Sequence, residues 1–351
     1  GEVIFQISNL FSLNLRFSFL IFQSLLYIFY YILIYNLLKN IKPNYLVILS
    51  IFSPIFIIFP IAELEALGRK EILIFIALIV SINLYFKYIN NNLILIFISI
   101  IFPVLILVHE GSIFYSFFFL SLIFITKLKF NYKFFFKLIL LGLPTFICIY
   151  LVYSNPHSVG DTARMCEELK KIGEECGLAT IFLSKSIVDH NLEVGWQLNH
   201  ILRYIFIFVV GFFSLIYLSF ISEYNPQKIN NFFCSKPFIL NIILLILPSL
   251  IMYLIAVDSG RWTHMTYSCS FIYYFGLLKN EAIILKKNTF EFNFQNKKTK
   301  NFFYTLFFVL VCLTWNPKAV YHEDLGSFPI YRVLEKTPNY YKSIFALKVF
   351  R

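Results

Sequence analysis

Long apolar runs without a charged residue recur along the whole chain. Phe17–Leu38, Tyr45–Ile61 and Phe238–Val257 are three of them. Each is long enough to cross about 30 Å of hydrocarbon, since a helix rises about 1.5 Å per residue. The pattern predicts an all-α, polytopic transmembrane helix bundle, and a removable signal peptide cannot account for it. The ten predicted helices cover residues 15–38, 45–62, 72–86, 93–108, 112–126, 138–153, 201–221, 238–257, 263–278 and 302–315.

Composition agrees with this fold class. Hydrophobic residues make up 59% of the 351 residues and charged residues 14%, whereas a soluble domain carries about 25% charged residues. The net charge of +11 is spread over the connections between predicted helices, with no basic, aromatic-interleaved module. We therefore expect a lipid bilayer, and no nucleic acid, as a partner. Because the chain opens on Gly1 and Arg16 follows only a short apolar lead, the sequence is expected to lack its start.

The connections between predicted helices fall into two alternating sets, which would lie on opposite sides of the membrane, and the two sets differ in their content of lysine and arginine. The short loops of one set contain only Arg69, Lys70 and Arg261, against fifteen basic residues in the other set. Basic loops mark the cytoplasmic side, so both termini are predicted to lie outside. The predicted organisation is a bundle over 1–315, with a long outer loop at 154–199, and an outer tail at 316–351. The fifteen residues are Lys39, Lys42, Lys87, Lys127, Lys129, Lys133, Lys137, Lys228, Lys236, Lys279, Lys286, Lys287, Lys297, Lys298 and Lys300.

Two of the six cysteines, Cys166 and Cys176, lie in the long outer loop. Two thiols ten residues apart in an oxidising compartment are expected to form a disulfide. Two free thiols are the alternative. Zinc is less favoured because no second cysteine pair or nearby histidine completes a ligand set.

Three short motifs combine both signs of charge with histidine or tryptophan on the predicted outer side: 62–71, 109–111 and 258–264. Ionisable groups at the rim of a bundle usually face a polar cavity, so we expect the motifs to share one site. Ordinary solvated loops are the alternative for the set. For Glu65 with Arg69, and for Asp258 with Arg261, a structural ion pair on one helical face is the alternative.

The residue types in these motifs suit transfer of a sugar from a lipid diphosphate. Arginine holds phosphate oxygens through parallel hydrogen bonds, while histidine and carboxylates accept the proton of an attacking hydroxyl. The candidate catalytic residues are Glu71, His109, Glu110 and Asp258. The candidate diphosphate-binding residues are Arg69, Lys70, Arg261 and His264. There is no DxD spacing and no nucleotide- or zinc-binding motif, so neither a metal ion nor a cofactor is expected.

The order of these features resembles bacterial O-antigen and exopolysaccharide polymerases of the Wzy/EpsG type. The likeness rests on Gly68-Arg69-Lys70-Glu71, followed some forty residues later by His109-Glu110-Gly111, with a long outer loop beyond. It implies a multi-pass protein of the bacterial inner membrane that joins repeat units carried on undecaprenyl diphosphate at the periplasmic face. Other membrane proteins of polysaccharide assembly would then be partners.

Several other functions remain open from the sequence. A lipid-linked sugar ligase, or a glycosyltransferase that uses a lipid monophosphate sugar, would need similar residues. A polysaccharide or small-molecule transporter or flippase would usually place charges near mid-bilayer on broken helices related by a repeat, and we detect no repeat. A structural subunit of a larger complex is the remaining alternative.

Overall fold

The computed structural model describes residues 2–88, 93–125, 132–155, 159–171, 198–229, 237–255, 258–286, 296–319 and 325–345. Within these ranges the chain is almost entirely helical, which confirms the all-α part of the predicted fold class. The α-helices are α1 (Glu2–Leu10), α2 (Leu15–Leu38), α3 (Tyr45–Ile51), α4 (Phe59–Ala62), α5 (Leu64–Leu67), α6 (Ile72–Lys87), α7 (Leu93–Val108), α8 (Ser116–Ile125), α9 (Tyr132–Ser154), α10 (Val159–Lys171), α11 (Leu198–Phe220), α12 (Phe238–Ile246), α13 (Met252–Ile255), α14 (Ser259–Lys279), α15 (Lys297–Phe308) and α16 (Pro329–Phe345). Short 3₁₀ segments cover Glu110–Tyr115 and Leu247–Ile251, and a π-helical turn covers Val309–Leu313.

The strands in the described part of the chain form two short antiparallel pairs. Strand β1 (Ser222–Tyr224) pairs with β2 (Ile283–Leu285), with Glu223 opposite Ile284. Strand β3 (Asn316–Pro317) pairs with β4 (Leu325–Gly326), with Asn316 opposite Gly326. Both pairs join the ends of helices and add no sheet layer to the bundle.

Among the described residues, three helical segments are long and apolar enough to cross a membrane: Leu15–Leu38, Phe136–Ser154 and Ile201–Phe220. The predicted count of ten spans, and the placement of both termini outside, stay predictions. Shorter apolar segments cover Ile72–Lys87, Ile94–Val108, Glu110–Ile125 and Phe238–Leu254.

Helix α7 shows the kind of surface that a bilayer would cover. Ile96, Ile100, Val104 and Leu107 are spaced by four, four and three residues and are all exposed. This spacing places them in one stripe along the helix. A continuous exposed apolar stripe is typical of a surface that meets lipid or another apolar partner.

Two of the predicted helices are interrupted at prolines. The helix predicted over 45–62 ends at Ile51 and resumes at Phe59, with Pro54 in the intervening turn. The helix predicted over 238–257 passes into a 3₁₀ segment at Pro248. Proline has no backbone N–H, and it disfavours the helical conformation of the residue before it, which explains both interruptions.

The central helix of the bundle is α14, in which every residue from Ser259 to Leu277 is buried. Helices α2, α6, α8, α11 and α12 contact it, so its surroundings are protein. Its hydroxyls form hydrogen bonds with these neighbours: Tyr267 donates to the carbonyl of Ser50 at 2.7 Å, and Thr266 donates to Ser249 at 2.9 Å. A polar helix is stable at the centre of a bundle when its polar groups are paired in this way.

Helix α14 separates the mixed-charge motifs from the lysine-rich connections. It begins beside Asp258 and ends at Lys279, and its 21 residues span about 32 Å. The β1–β2 pair lies at the lysine end, with ion pairs from Lys286 to Glu223 at 2.6 Å and from Lys228 to Glu281 at 3.8 Å. The two kinds of loop therefore lie at opposite ends of this helix.

The proposed disulfide lies partly outside the described residues. Cys166 is in α10, while Cys176 falls in the segment that the structure does not describe. The pairing stays a prediction.

Candidate functional site

The three mixed-charge motifs meet at the beginning of α14. Glu71 is the last residue before α6, His109 separates α7 from the 3₁₀ segment that follows, and Arg261 is in the first turn of α14. The side chains of these three residues are buried. Short helices and tight turns bring together residues that are up to 190 positions apart.

Arg261 connects two of the motifs through ion pairs. Its Nε donates to Glu71 Oε1, and its Nη1 donates to Asp258 Oδ2. The ion pair between Asp258 and Arg261, which the sequence offered as the structural alternative for these two residues, is present. The two carboxylates occupy two of the three guanidinium nitrogens, which leaves Nη2 and one N–H of Nη1 for a ligand.

The neighbours of Glu71 keep its carboxylate ionised. Burial by itself favours the neutral acid, but the charge of the Arg261 guanidinium outweighs burial and holds the pKa of Glu71 below its ordinary value of 4.5. Glu71 is therefore an anion at neutral pH and a poor proton acceptor. Its second oxygen, Oε2, is buried without a hydrogen-bond partner among the described residues.

His109 lies between two carboxylates. Its Nε2 is 3.8 Å from Glu71 Oε1, and its Nδ1 is 3.8 Å from Glu110 Oε2. Nε2 is buried and, in the part of the chain that the structure describes, makes no hydrogen bond. A buried nitrogen without a partner costs free energy, so this atom is a natural contact for a polar ligand.

Trp262 supports both His109 and Arg261. The Arg261 guanidinium lies 4.4 Å from the centre of the Trp262 ring, a cation–π contact. The His109 ring lies nearly parallel to the same indole, at 6.0 Å and 22°. Gly111 leaves space for the imidazole, because a Cβ there would approach His109 Cε1 to 3.2 Å. The two candidate functional side chains thus share one rigid aromatic support.

Lys70 and Arg69 lie beside this cluster with a different kind of contact. Lys70 Nζ donates to the carbonyl of Val108 at 2.9 Å, next to His109. Arg69 Nε donates to the carbonyl of Glu65 at 2.8 Å, so the alternative of an ion pair between these two side chains is not seen among the described contacts. Both hydrogen bonds go to backbone carbonyls, and the Lys70 charge also acts on the Glu110 carboxylate.

His264 lies deeper in the bundle than the other candidates. Its Nδ1 hydrogen-bonds the carbonyl of Ile55 at 2.9 Å, and its ring packs between Phe59 and Phe75. The interruption at Pro54 frees the Ile55 carbonyl from helical hydrogen bonding, and His264 satisfies it. This surrounding favours a structural role for His264 over diphosphate binding.

A second charge cluster, centred on Glu63, was not predicted from the sequence motifs. This buried carboxylate accepts hydrogen bonds from Asn316 Nδ2 at 2.9 Å and from Arg332 Nη2 at 3.0 Å. Lys318 Nζ lies 3.6 Å from Glu63 Oε1, and Lys336 Nζ lies 3.8 Å from Oε2. The spacing of Arg332 and Lys336 by four residues in the tail was the available signal, since it places two cations on one helical face.

Metal binding and relatedness add little to this picture. Among the described residues, no group of three histidine, cysteine or acidic side chains could hold a metal ion. No protein family, curated relative or solved structure matches the chain. The site is therefore interpreted from its own geometry.

Proposed function

We propose that the chain is a multi-pass membrane glycosyltransferase that polymerises sugar repeat units from a polyprenyl-diphosphate donor, with its active site at the periplasmic face. The observation that carries this proposal is the contact between Glu71, His109 and Arg261, which come from three separate turns. It joins a proton acceptor and fixed positive charge at one end of a helix bundle.

Arg69 and Lys70 would bind the diphosphate. Their described hydrogen bonds go to backbone carbonyls, so a phosphate oxygen could replace those carbonyls as the acceptor. Arg261 would contribute its remaining N–H groups while Glu71 and Asp258 hold it in place. Fixed positive charge is most effective where negative charge develops on the departing diphosphate.

His109 would be the general base. Its Nε2 has no hydrogen-bond partner among the described residues, and the nearby Glu71 carboxylate at 3.8 Å would stabilise the imidazolium that forms. The acceptor hydroxyl would lose its proton to Nε2 as its oxygen bonds to the anomeric carbon. The bond from that carbon to the diphosphate oxygen would break, and the diphosphate would leave with the electron pair.

Arg69→Ala and Lys70→Ala test the diphosphate contacts. We expect each variant to reduce polymerisation at least about 10-fold, because each removes one charged contact to phosphate. The measurement is glycan chain length on gels, in cells whose own copy is replaced by the variant. Lys228→Ala is the matched control, since Lys228 lies at the opposite end of α14 in an exposed ion pair. Full-length glycan from both test variants would rule out the polymerase role.

A further inference from the structure

The C-terminal segment is fastened to the bundle by Glu63. Glu63 is only 3% exposed, and Asn316 and Lys318 at the β3 strand are buried with it. The described contacts of Arg332 and Lys336 bring helix α16 to the same carboxylate. The Glu63 side chain therefore binds two successive parts of the tail, one at strand β3 and one in helix α16.

The tail contacts the helix of the candidate site at Gly260. A Cβ built on Gly260 would lie 1.7 Å from the carbonyl oxygen of Lys318, so the tail packs directly on the backbone of α14. Gly260 immediately precedes Arg261. The position of the tail thus fixes the first turn of the helix that carries Arg261.

We propose that Glu63 is a positioning residue, which acts through the C-terminal segment to hold Arg261 against Glu71 and Trp262. This inference rests on the proposed function for its kinetic effect. Its structural effect does not depend on that function. The four side chains that the described contacts place against Glu63 all belong to the tail, so the proposed role requires no contact between Glu63 and substrate.

The direct test compares Glu63→Ala and Glu63→Gln with Glu65→Ala. Glu65 is exposed and lies two residues away in the same motif. Its removal matches the lost charge, and none of the described contacts joins its side chain to the tail. Glutamine keeps an oxygen that can accept from Asn316 and Arg332 but loses the charge. In full-length protein in detergent, three quantities are measured: tryptic cleavage of the tail, acrylamide quenching of Trp262, and transfer kinetics. Quenching uses a background with Trp196→Phe and Trp315→Phe that keeps wild-type activity.

We expect Glu63→Ala to release the tail to trypsin, to increase quenching of Trp262 at least twofold, and to lower kcat at least tenfold with KM within threefold. Glu63→Gln should give intermediate values, and Glu65→Ala should match the wild type. If Glu63 only holds the tail in place, Glu63→Ala would expose the tail to trypsin without changing the quenching of Trp262. That result would overturn the proposal. Wild-type cleavage in Glu63→Ala would also overturn it.

Failure of the proposed function has a different signature. If the wild-type protein transfers no sugar, cleavage and quenching still report whether Glu63 positions Arg261 and Trp262. If the wild type is active and Glu63→Ala retains its full kcat, the positioning role is wrong while the polymerase role stands.

Discussion

Gly260→Ala should destabilise the protein more than any other exchange of glycine for alanine in the described helices. The added methyl group would lie 1.7 Å from the Lys318 carbonyl oxygen, and two backbone segments must separate to accept it. We expect a loss of roughly 3 kcal/mol or more in the free energy of unfolding. The apparent Tm in detergent should fall by about 4 °C, because the entropy of unfolding of a 351-residue chain is large.

Gly142→Ala in α9 is the matched control for this prediction. A Cβ at Gly142 would meet only the Phe146 side chain of the same helix, at 3.3 Å, and that side chain is exposed and can move. Alanine has the higher helix propensity by about 1 kcal/mol. We expect an unchanged or slightly raised Tm. An equal loss for both variants would mean that general helix packing, and not the contact with the tail, sets the effect.

Arg261→Gln should cause the second large effect. It removes the cation from a pair in which the side chains are 11% and 5% exposed, and it leaves the Glu71 carboxylate buried without its main partner. Breaking a buried pair from one side typically costs about 3–5 kcal/mol. Thermal unfolding in detergent measures this loss, and transfer activity should fall with it.

The double variant Glu71→Gln with Arg261→Gln isolates the pair. Removing both charges avoids the uncompensated anion, so the double variant should be more stable than Arg261→Gln alone. Because the pKa of Glu71 is below its ordinary 4.5, its contribution is present above that pH and is lost as the pH falls through the lowered pKa. The stability of the wild type should therefore decline more steeply in acid than that of the double variant. If the loss of stability in the double variant equals the sum of the losses in Glu71→Gln and Arg261→Gln, the two residues do not interact.

Local signals predicted the uninterrupted helices well. The predicted bounds 15–38 and 93–108 agree residue for residue with α2 and α7, because both are continuous apolar runs. Asn14 also marks the start of α2, where its side chain accepts from the backbone N–H of Arg16 at 2.9 Å. Pro54 and Pro248 were visible in the sequence, but hydropathy averaged over a window does not register a single missing hydrogen-bond donor.

The candidate site was only partly predictable. The alternation of basic and mixed-charge loops indicated that the three motifs lie together, and the spacing of Asp258 and Arg261 indicated their ion pair. The orientation of the His264 side chain could not be predicted, since it depends on the free carbonyl of Ile55, 209 residues earlier in the chain. The spacing of Arg332 and Lys336 could indicate a basic helical face, but it could not identify Glu63 as the partner of that face, because Glu63 and Arg332 are separated by 269 residues.

Cysteine labelling tests most directly whether the mixed-charge motifs share one side of the membrane. Lys70→Cys, Glu110→Cys and Lys39→Cys would each be introduced, at exposed positions, into an active variant without reactive native cysteines. In cells in which only the outer membrane is permeabilised, a membrane-impermeant maleimide should label the thiols introduced at positions 70 and 110. The same reagent should reach the thiol at position 39 only after the inner membrane is permeabilised. Labelling of positions 70 and 110 from opposite sides, or of 39 together with 70, would contradict a common outward-facing site.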